Sequence, residues 1–431
     1  MIKIFPLFRI SEALKGSFFS IFDQGIVSFS NFTCGIILAR ALAPEGFGQY
    51  SLYLATLMLA AGLQNSLITG PVRVLGVKQS AEEMRSFLQI QFKLQVILNI
   101  IIIFFLVSFF YIFKIGDFSL NLIFCICIFL WQLLELSRVI NLTQFKLYDL
   151  IVIDFTVHAV RLGALLFISF YTSLINNFYA FLILSLSCFC GIILFFIKNK
   201  NEFQNQINID LIDTTISNWK FGRWLLLETL VYNVSTQIYL YLTAMLVDTA
   251  SVGALSAVQN ILNVFNVLLL GLISFITPHA RHLLIKQGYD AWKRCLLKVG
   301  IGLFSFSLFV CLVISLYRID LLKFIYSDQY IYYAFLVPIC SITLIFRVVN
   351  TVFSVAFRTA LFPEIGFYSK LFSAVLTIII SYPLLMFYGV IGAAIGLLTT
   401  QMIWTVVYVY NLYIKKLKKE FVITRLNYEK N

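Results

Sequence analysis

Eight charged side chains stand inside stretches that are otherwise apolar: the acids Asp23, Glu135, Asp154 and Glu228, and the bases Arg138, Arg161, Arg347 and Lys370. On insertion scales an Arg, Lys or Asp at the centre of a membrane helix costs roughly 2.5–3.5 kcal/mol, so each one needs a physical reason. The guanidinium fork donates paired hydrogen bonds that suit phosphate. Arg161, Arg347, Arg138 and Lys370 are therefore candidates for binding an anionic group such as a pyrophosphate. Arg161 leads because it stands about eleven residues into its segment, near mid-membrane at 1.5 Å per residue. Asp23, Glu228 and Asp154 are candidates for ion coupling, since a carboxylate costly to keep charged in low dielectric can bind and release a proton or hold Na⁺. A purely structural use is equally open. Arg138 can pair with Glu135 three residues earlier on one helix, and Arg161 lies two turns from Asp154. Arg138 and Lys370 can snorkel to the interface, and Asp23 and Glu228 can bond to Gln24, Gln237 or Asn233.

Other chemistry finds little support. No nucleotide-binding P-loop and no convincing nucleophilic triad is present, so the chain does not read as an enzyme. The pairs Cys125/Cys127 and Cys188/Cys190 lack nearby His or acidic partners, and His279 and His282 sit in a basic loop. No metal is expected, and no cofactor beyond a coupling ion.

Helices in lipid must position these charges. Hydrophobic residues fill 61% of 431 positions and charged residues 12%, whereas soluble domains carry roughly 25% charged residues; mean hydropathy is +0.92. The apolar residues gather into runs of about 20, the length that crosses a core of about 30 Å. Backbone polar groups in lipid must be satisfied within the segment, so such runs become helices, and the alternation of a membrane β-barrel is absent. The spans read as 17–39, 47–70, 90–113, 118–140, 150–171, 175–197, 223–247, 252–276, 296–317, 331–356, 366–388 and 389–413, twelve in all. A cytoplasmic N-terminus places most of the 32 Lys and Arg in the cytoplasm, with Arg40, Lys114, Arg318 and Lys323 outside, as the positive-inside rule requires. The net charge of +12 is then a topology signal and not a nucleic-acid footprint. The first span is long and carries Asp23 and Gln24, unlike a cleavable signal. The eight cysteines lie mostly in apolar spans and read as small apolar residues without a disulfide framework. Tyr and Trp near span ends read as interface anchors; a stacking platform for sugar rings is another use open to the aromatics.

A polar stretch near 198–222 divides the chain into six spans at 1–197 and six at 223–431, the latter ending in a basic cytoplasmic tail. The halves match in register. Asp23 precedes Gly48 of Phe47-Gly48-Gln49-Tyr50 by 25 residues, as Glu228 precedes Gly253 of Val252-Gly253-Ala254-Leu255. Arg138-Val139-Ile140-Asn141 recurs 209 residues later as Arg347-Val348-Val349-Asn350, and Arg161-Leu162 as Lys370-Leu371. Even helix numbers make the repeats parallel, an arrangement common in transporters.

The run Arg40-Ala-Leu-Ala-Pro-Glu-Gly-Phe-Gly-Gln-Tyr50-Ser-Leu resembles that of bacterial polysaccharide (O-antigen) flippases. These belong to the multidrug/oligosaccharidyl-lipid/polysaccharide exporter superfamily. Val252-Gly-Ala-Leu-Ser256-Ala-Val-Gln and Tyr388-Gly389-Val390-Ile391-Gly392-Ala393-Ala394-Ile395-Gly396 share the likeness. The resemblance implies an all-α polytopic protein whose two six-helix lobes form the V of a MATE-like bundle. It implies alternating access and movement of an undecaprenyl-pyrophosphate-linked oligosaccharide, an O-antigen or capsule repeat unit, across the bacterial inner membrane. Both termini are expected in the cytoplasm. Expected partners are the lipid-linked substrate and membrane lipids, with a polysaccharide polymerase and a chain-length regulator as protein neighbours. Four rivals remain: a drug/cation antiporter of the same superfamily, which should favour acidic residues; a peptidoglycan-precursor flippase, whose family usually carries more than twelve helices; a membrane-embedded glycan polymerase or ligase, which needs a longer outside loop than Arg318 to Tyr330; and a structural scaffold.

Overall fold

The computed structural model describes residues 5–76, 81–171, 175–200, 211–362 and 364–413, with side chains from residue 22 onward apart from 81, 82, 267, 268, 270, 271, 274, 275 and 413. Residues 201–210 of the expected linker and the basic tail beyond Tyr413 lie outside them. The described residues are almost entirely helical: α1 (Phe5–Gln64), a π-helical turn (Asn65–Thr69), α2 (Gly70–Leu75), α3 (Ala81–Phe113), α4 (Phe118–Thr143), α5 (Leu147–Tyr171), α6 (Asn177–Lys198), α7 (Leu211–Leu246), α8 (Thr249–Lys286), α9 (Tyr289–Leu316), α10 (Arg318–Ile325), a 3₁₀ turn (Asp328–Tyr333), α11 (Leu336–Thr359) and α12 (Glu364–Tyr413). Two of these are broken. Ala43 (φ 56°, ψ 174°) interrupts α1, where the following Pro44 disfavours the helical region. Gly389 (φ 55°, ψ −135°) interrupts α12 in a conformation that glycine adopts at little cost.

Among the described residues, eight helices are long and apolar enough to cross a membrane. Divided at the two kinks, and with the more polar α7 and α8 included, the described residues hold twelve long helical stretches, in agreement with the sequence reading. Helices overrun the apolar runs where polar ends continue the hydrogen-bonded ladder: α3 starts at Ala81 and α8 continues to Lys286. The start expected at 331 is instead a 3₁₀ turn, and α11 begins at Leu336.

Two compact units emerge, Met1–Leu42 with Tyr53–Leu230, and Ala43–Leu52 with Val231–Asn431. In the first, α4 packs between α3, α5 and α6. Its core includes Phe124, Cys127, Ile128, Phe181 and Cys188, all fully buried. A buried amide chain ties three helices: Gln64 Nε2 donates to Gln95 Oε1 (2.9 Å), and Gln95 Nε2 to Gln132 Oε1 (2.8 Å). The expected linker is helical from Leu211, and α7 is held there by reciprocal amide bonds between Gln91 and Asn218 (3.2 and 2.9 Å). In the second unit α11 packs against α8, α9 and α12, around Trp292, Phe357, Trp404 and Tyr408. The two motif glycines meet here: a Cβ on Gly48 would strike the Thr249 carbonyl, and one on Gly253 the Pro44 carbonyl. The repeated motif thus marks a backbone-on-backbone crossing that a side chain would prevent.

Candidate functional site

In the first unit, α4 presents Glu135 and Arg138 one turn apart, on one face. Arg138 Nη1 donates to Glu135 Oε2 at 2.7 Å, and Nε to both oxygens of Asp154 on α5 at 2.8 and 2.9 Å. Asp23 Oδ2 of α1 lies 3.7 Å from Arg138 Nη2. Arg73 reaches the far side of Glu135 at 3.9 Å and donates to Asn65 Oδ1 in the π-helical turn at 3.2 Å. Asp154 is 1% exposed and Asp23 5%. Three carboxylates thus face two guanidinium groups, a formal excess of one negative charge. Asp23 Oδ1 is buried with no donor to it. A carboxylate oxygen in that condition is costly until it takes a proton or a cation.

The same helices carry a second polar layer. Asp154, His158 and Arg161 are spaced i, i+4, i+7, so they share one face of α5. His158 Nδ1 lies 2.9 Å from Ser30 Oγ, and Arg161 Nη1 donates to Asn31 Oδ1 at 2.8 Å. Ser30 and Asn31 follow Asp23 by two turns on α1, so α1 and α5 are joined by successive polar contacts within the membrane. Such bonds between spans hold helices together where the hydrophobic effect between them is absent.

The second unit is built differently. Arg347, at the repeat position of Arg138, donates through Nη1 to Asn266 Oδ1 of α8 at 2.7 Å, and Asn266 Nδ2 in turn donates to Asn263 Oδ1 at 2.6 Å. Among the described residues no carboxylate lies within ion-pair distance of Arg347, whose guanidinium is met by the neutral Asn266 amide. Tyr232 of α7 stands within its electrostatic reach. The Lys370 ammonium lies 5.7 Å from the centre of the same Tyr232 ring. Asn350, one turn beyond Arg347, donates to Gln401 Oε1 at 3.1 Å and accepts from Thr405 Oγ1 at 2.8 Å, which fixes α11 against the second half of α12.

Residues 13–279, more than half of the sequence, match the polysaccharide biosynthesis protein family. The chain belongs to that family. No curated protein sequence matches it. Among solved structures, an inward-facing multidrug resistance MATE family transporter of the MOP superfamily is 14% identical with a TM-score of 0.75, over 91% of this chain and 96% of that one. The lipid II flippase MurJ in an inward closed conformation is 15% identical with a TM-score of 0.69, over 94% and 89%. A MOP superfamily transporter from Pyrococcus furiosus is 16% identical with a TM-score of 0.63, over 94% and 96%. At such identities the likeness establishes a shared fold.

For this polysaccharide biosynthesis protein, the residues singled out from sequence fall into separate groups. Asp23, Asp154 and Arg138 come together with Glu135, so Arg138, expected among the substrate cations, is held by acids. Arg161 is 8% exposed and lies against Asn31. Arg347 and Lys370 share Tyr232. Glu228 is half-buried on the part of α7 that belongs to the first unit and is not among the groups around Arg138. Sequence reasoning missed Ser30, Asn31, His158, Asn263, Asn266 and Tyr232. A scan for polar residues at i, i+4, i+7 within apolar spans finds His158; the neutral amides on α8 carry no charge to draw attention.

Proposed function

We propose that this chain moves a lipid-linked oligosaccharide across the bacterial inner membrane by alternating access, coupled to H⁺ or Na⁺ binding in its first unit. One observation carries the reading: the cluster around Arg138 holds an acidic excess, whereas its repeat mate Arg347 is paired with the Asn266 amide. The acidic excess around Arg138, with its orphan Asp23 Oδ1, suits a small cation. Arg347, with the Asn266 amide for its partner, suits an anion, and a guanidinium held by a single acceptor keeps donors for a phosphate. Family membership supports a glycan-related cargo, and the fold shared with MurJ and the MATE transporter supports transport rather than catalysis. Arg161 and Lys370 serve the same anionic substrate in this reading. Arg138 positions the coupling acids. Asp154 shares the coupling site with Asp23, and Glu228 has a separate role on α7. The two compact units, whose boundaries exchange Ala43–Leu52 and the stretch up to Leu230 relative to the lobes expected at 1–197 and 223–431, act as the moving bodies, with both termini in the cytoplasm.

The drug/cation antiporter is the second reading, favoured by the acidic cluster alone. It gives Arg347 no purpose. Arg347→Ala decides between them. In a strain lacking its own flippase, the variant should insert normally and fail to restore surface polysaccharide. Full display with this variant would remove the anionic-substrate reading, and restored drug resistance would support the rival.

A further inference from the structure

Tyr232 is the hub of the second unit's polar group. It exposes 44% of its surface and is approached by Arg347 from α11 and by Lys370 from α12. A third side chain completes the set. The Trp404 ring lies 6.2 Å from that of Tyr232, with the two planes inclined at 36°. Trp404 is only 9% exposed, yet its indole Nε1–H has no acceptor. A buried donor left unmade is costly, and tryptophan N–H groups in such places usually find a partner.

The donors and acceptors here are one-sided. Arg347, Lys370 and the Trp404 N–H all donate, Asn266 already spends its oxygen on Arg347 and its amide on Asn263, and among the described residues no carboxylate competes with a ligand at Arg347. Two aromatic faces lie beside these donors. The ligand that fits is one with a strongly accepting anion next to a ring that has apolar C–H faces and hydroxyl or carbonyl edges. That is a sugar phosphate. We infer that Tyr232 is the stacking platform for the first sugar of a diphosphate-linked saccharide, with Trp404 backing it from the core and its N–H meeting one of the sugar oxygens, while Arg347 holds the adjoining phosphate.

The clamp of Asn350 on Gln401 and Thr405 keeps this subsite in register, because Arg347 precedes Asn350 by one turn and Trp404 follows Gln401 by three residues. The subsite lets the protein distinguish a sugar-bearing lipid from the bare polyprenyl diphosphate that remains when the sugar is removed. This inference rests on the anionic-substrate reading above.

The test uses the full chain in lipid nanodiscs and two probes, a polyprenyl diphosphate and the same lipid carrying one N-acetylhexosamine, with affinities measured calorimetrically. Wild-type protein should bind the sugar-bearing probe about tenfold tighter, equivalent to about 1.4 kcal/mol. Tyr232→Ala should bring the two affinities together. Trp404→Phe keeps a ring and a folded core, and should lower the preference to about threefold. Arg347→Gln should weaken both probes alike. A tenfold preference that survives Tyr232→Ala, or no preference in the wild type, overturns the subsite. If Arg347→Gln leaves both affinities intact, the anionic-substrate reading fails, and the sugar subsite fails with it.

Discussion

Replacing Arg138 by Gln removes the one cation that touches Glu135 and Asp154 at hydrogen-bond distance. Asp154, 1% exposed, then faces Asp23 with no counter-charge, and only Arg73 remains beyond Glu135. Breaking a buried pair by removing one partner costs about 3–5 kcal/mol, because the survivor stays charged in low dielectric. Two further acids are left behind here, so Arg138→Gln should sit near the top of that range, at about 5 kcal/mol. Asp154→Asn takes an acid from a group that has one to spare, and keeps an acceptor opposite Arg138. It loses a charge-assisted bond, worth about 1.5–3 kcal/mol. The double variant keeps the wild-type formal excess, two acids against Arg73, and pairs amide with amide. It should cost about 2–3 kcal/mol less than the sum of the single changes. Neutral bonds between membrane helices average about 0.6 kcal/mol and reach about 1.7, so a coupling above about 2 kcal/mol identifies the charge pair. Equilibrium unfolding by SDS titration in mixed micelles, followed by circular dichroism on all four proteins, measures it. Additive costs, within about 0.5 kcal/mol, would refute the account of the cluster.

Other outcomes follow from the same structure. Asp23→Asn gives the orphan oxygen's side chain its own donors and removes the acidic excess. Uptake of labelled lipid-linked substrate into proteoliposomes should then lose its dependence on an imposed proton or sodium gradient, and unchanged dependence would remove Asp23 from coupling. Gly253→Leu forces a side chain into the Pro44 carbonyl; overpacking of this kind costs about 1–3 kcal/mol or more, and should lower the yield of folded protein, whereas Gly163→Leu, with open space beyond its Cα, should not. Reporter fusions at Lys200 and Arg318 should report opposite sides of the membrane, as the charge asymmetry requires; the same side for both would break the topology.

Much of the molecule is written locally. Span length depends on apolar runs, and the breaks near Ala43-Pro44 and at Gly389 depend on residues that refuse helical backbone, so the twelve stretches could be read from the sequence. The expected sidedness rests on Lys and Arg counts, again a local property, and awaits the reporter fusions. The match of Gly48 with Gly253 could be seen as a repeat but not as a contact, since nothing in two similar strings says that they touch. The same limit governs the charges. Arg138 with Glu135 is legible because one helix sets their spacing. Arg138 with Asp154, Arg161 with Asn31 and Arg347 with Asn266 require knowing which helices abut and how each is rotated. That information lies in ridge-and-groove packing between spans, and similar apolar faces do not specify it.

The sequence by itself therefore determined an all-helical membrane chain with a duplicated order and a small set of costly charges, because hydrophobicity and helix breaking act over a turn or two. Only the tertiary structure decided that Arg138 is held by three acids while its repeat mate Arg347 is held by an amide. A buried charge is defined by what surrounds it, and its surroundings come from other helices.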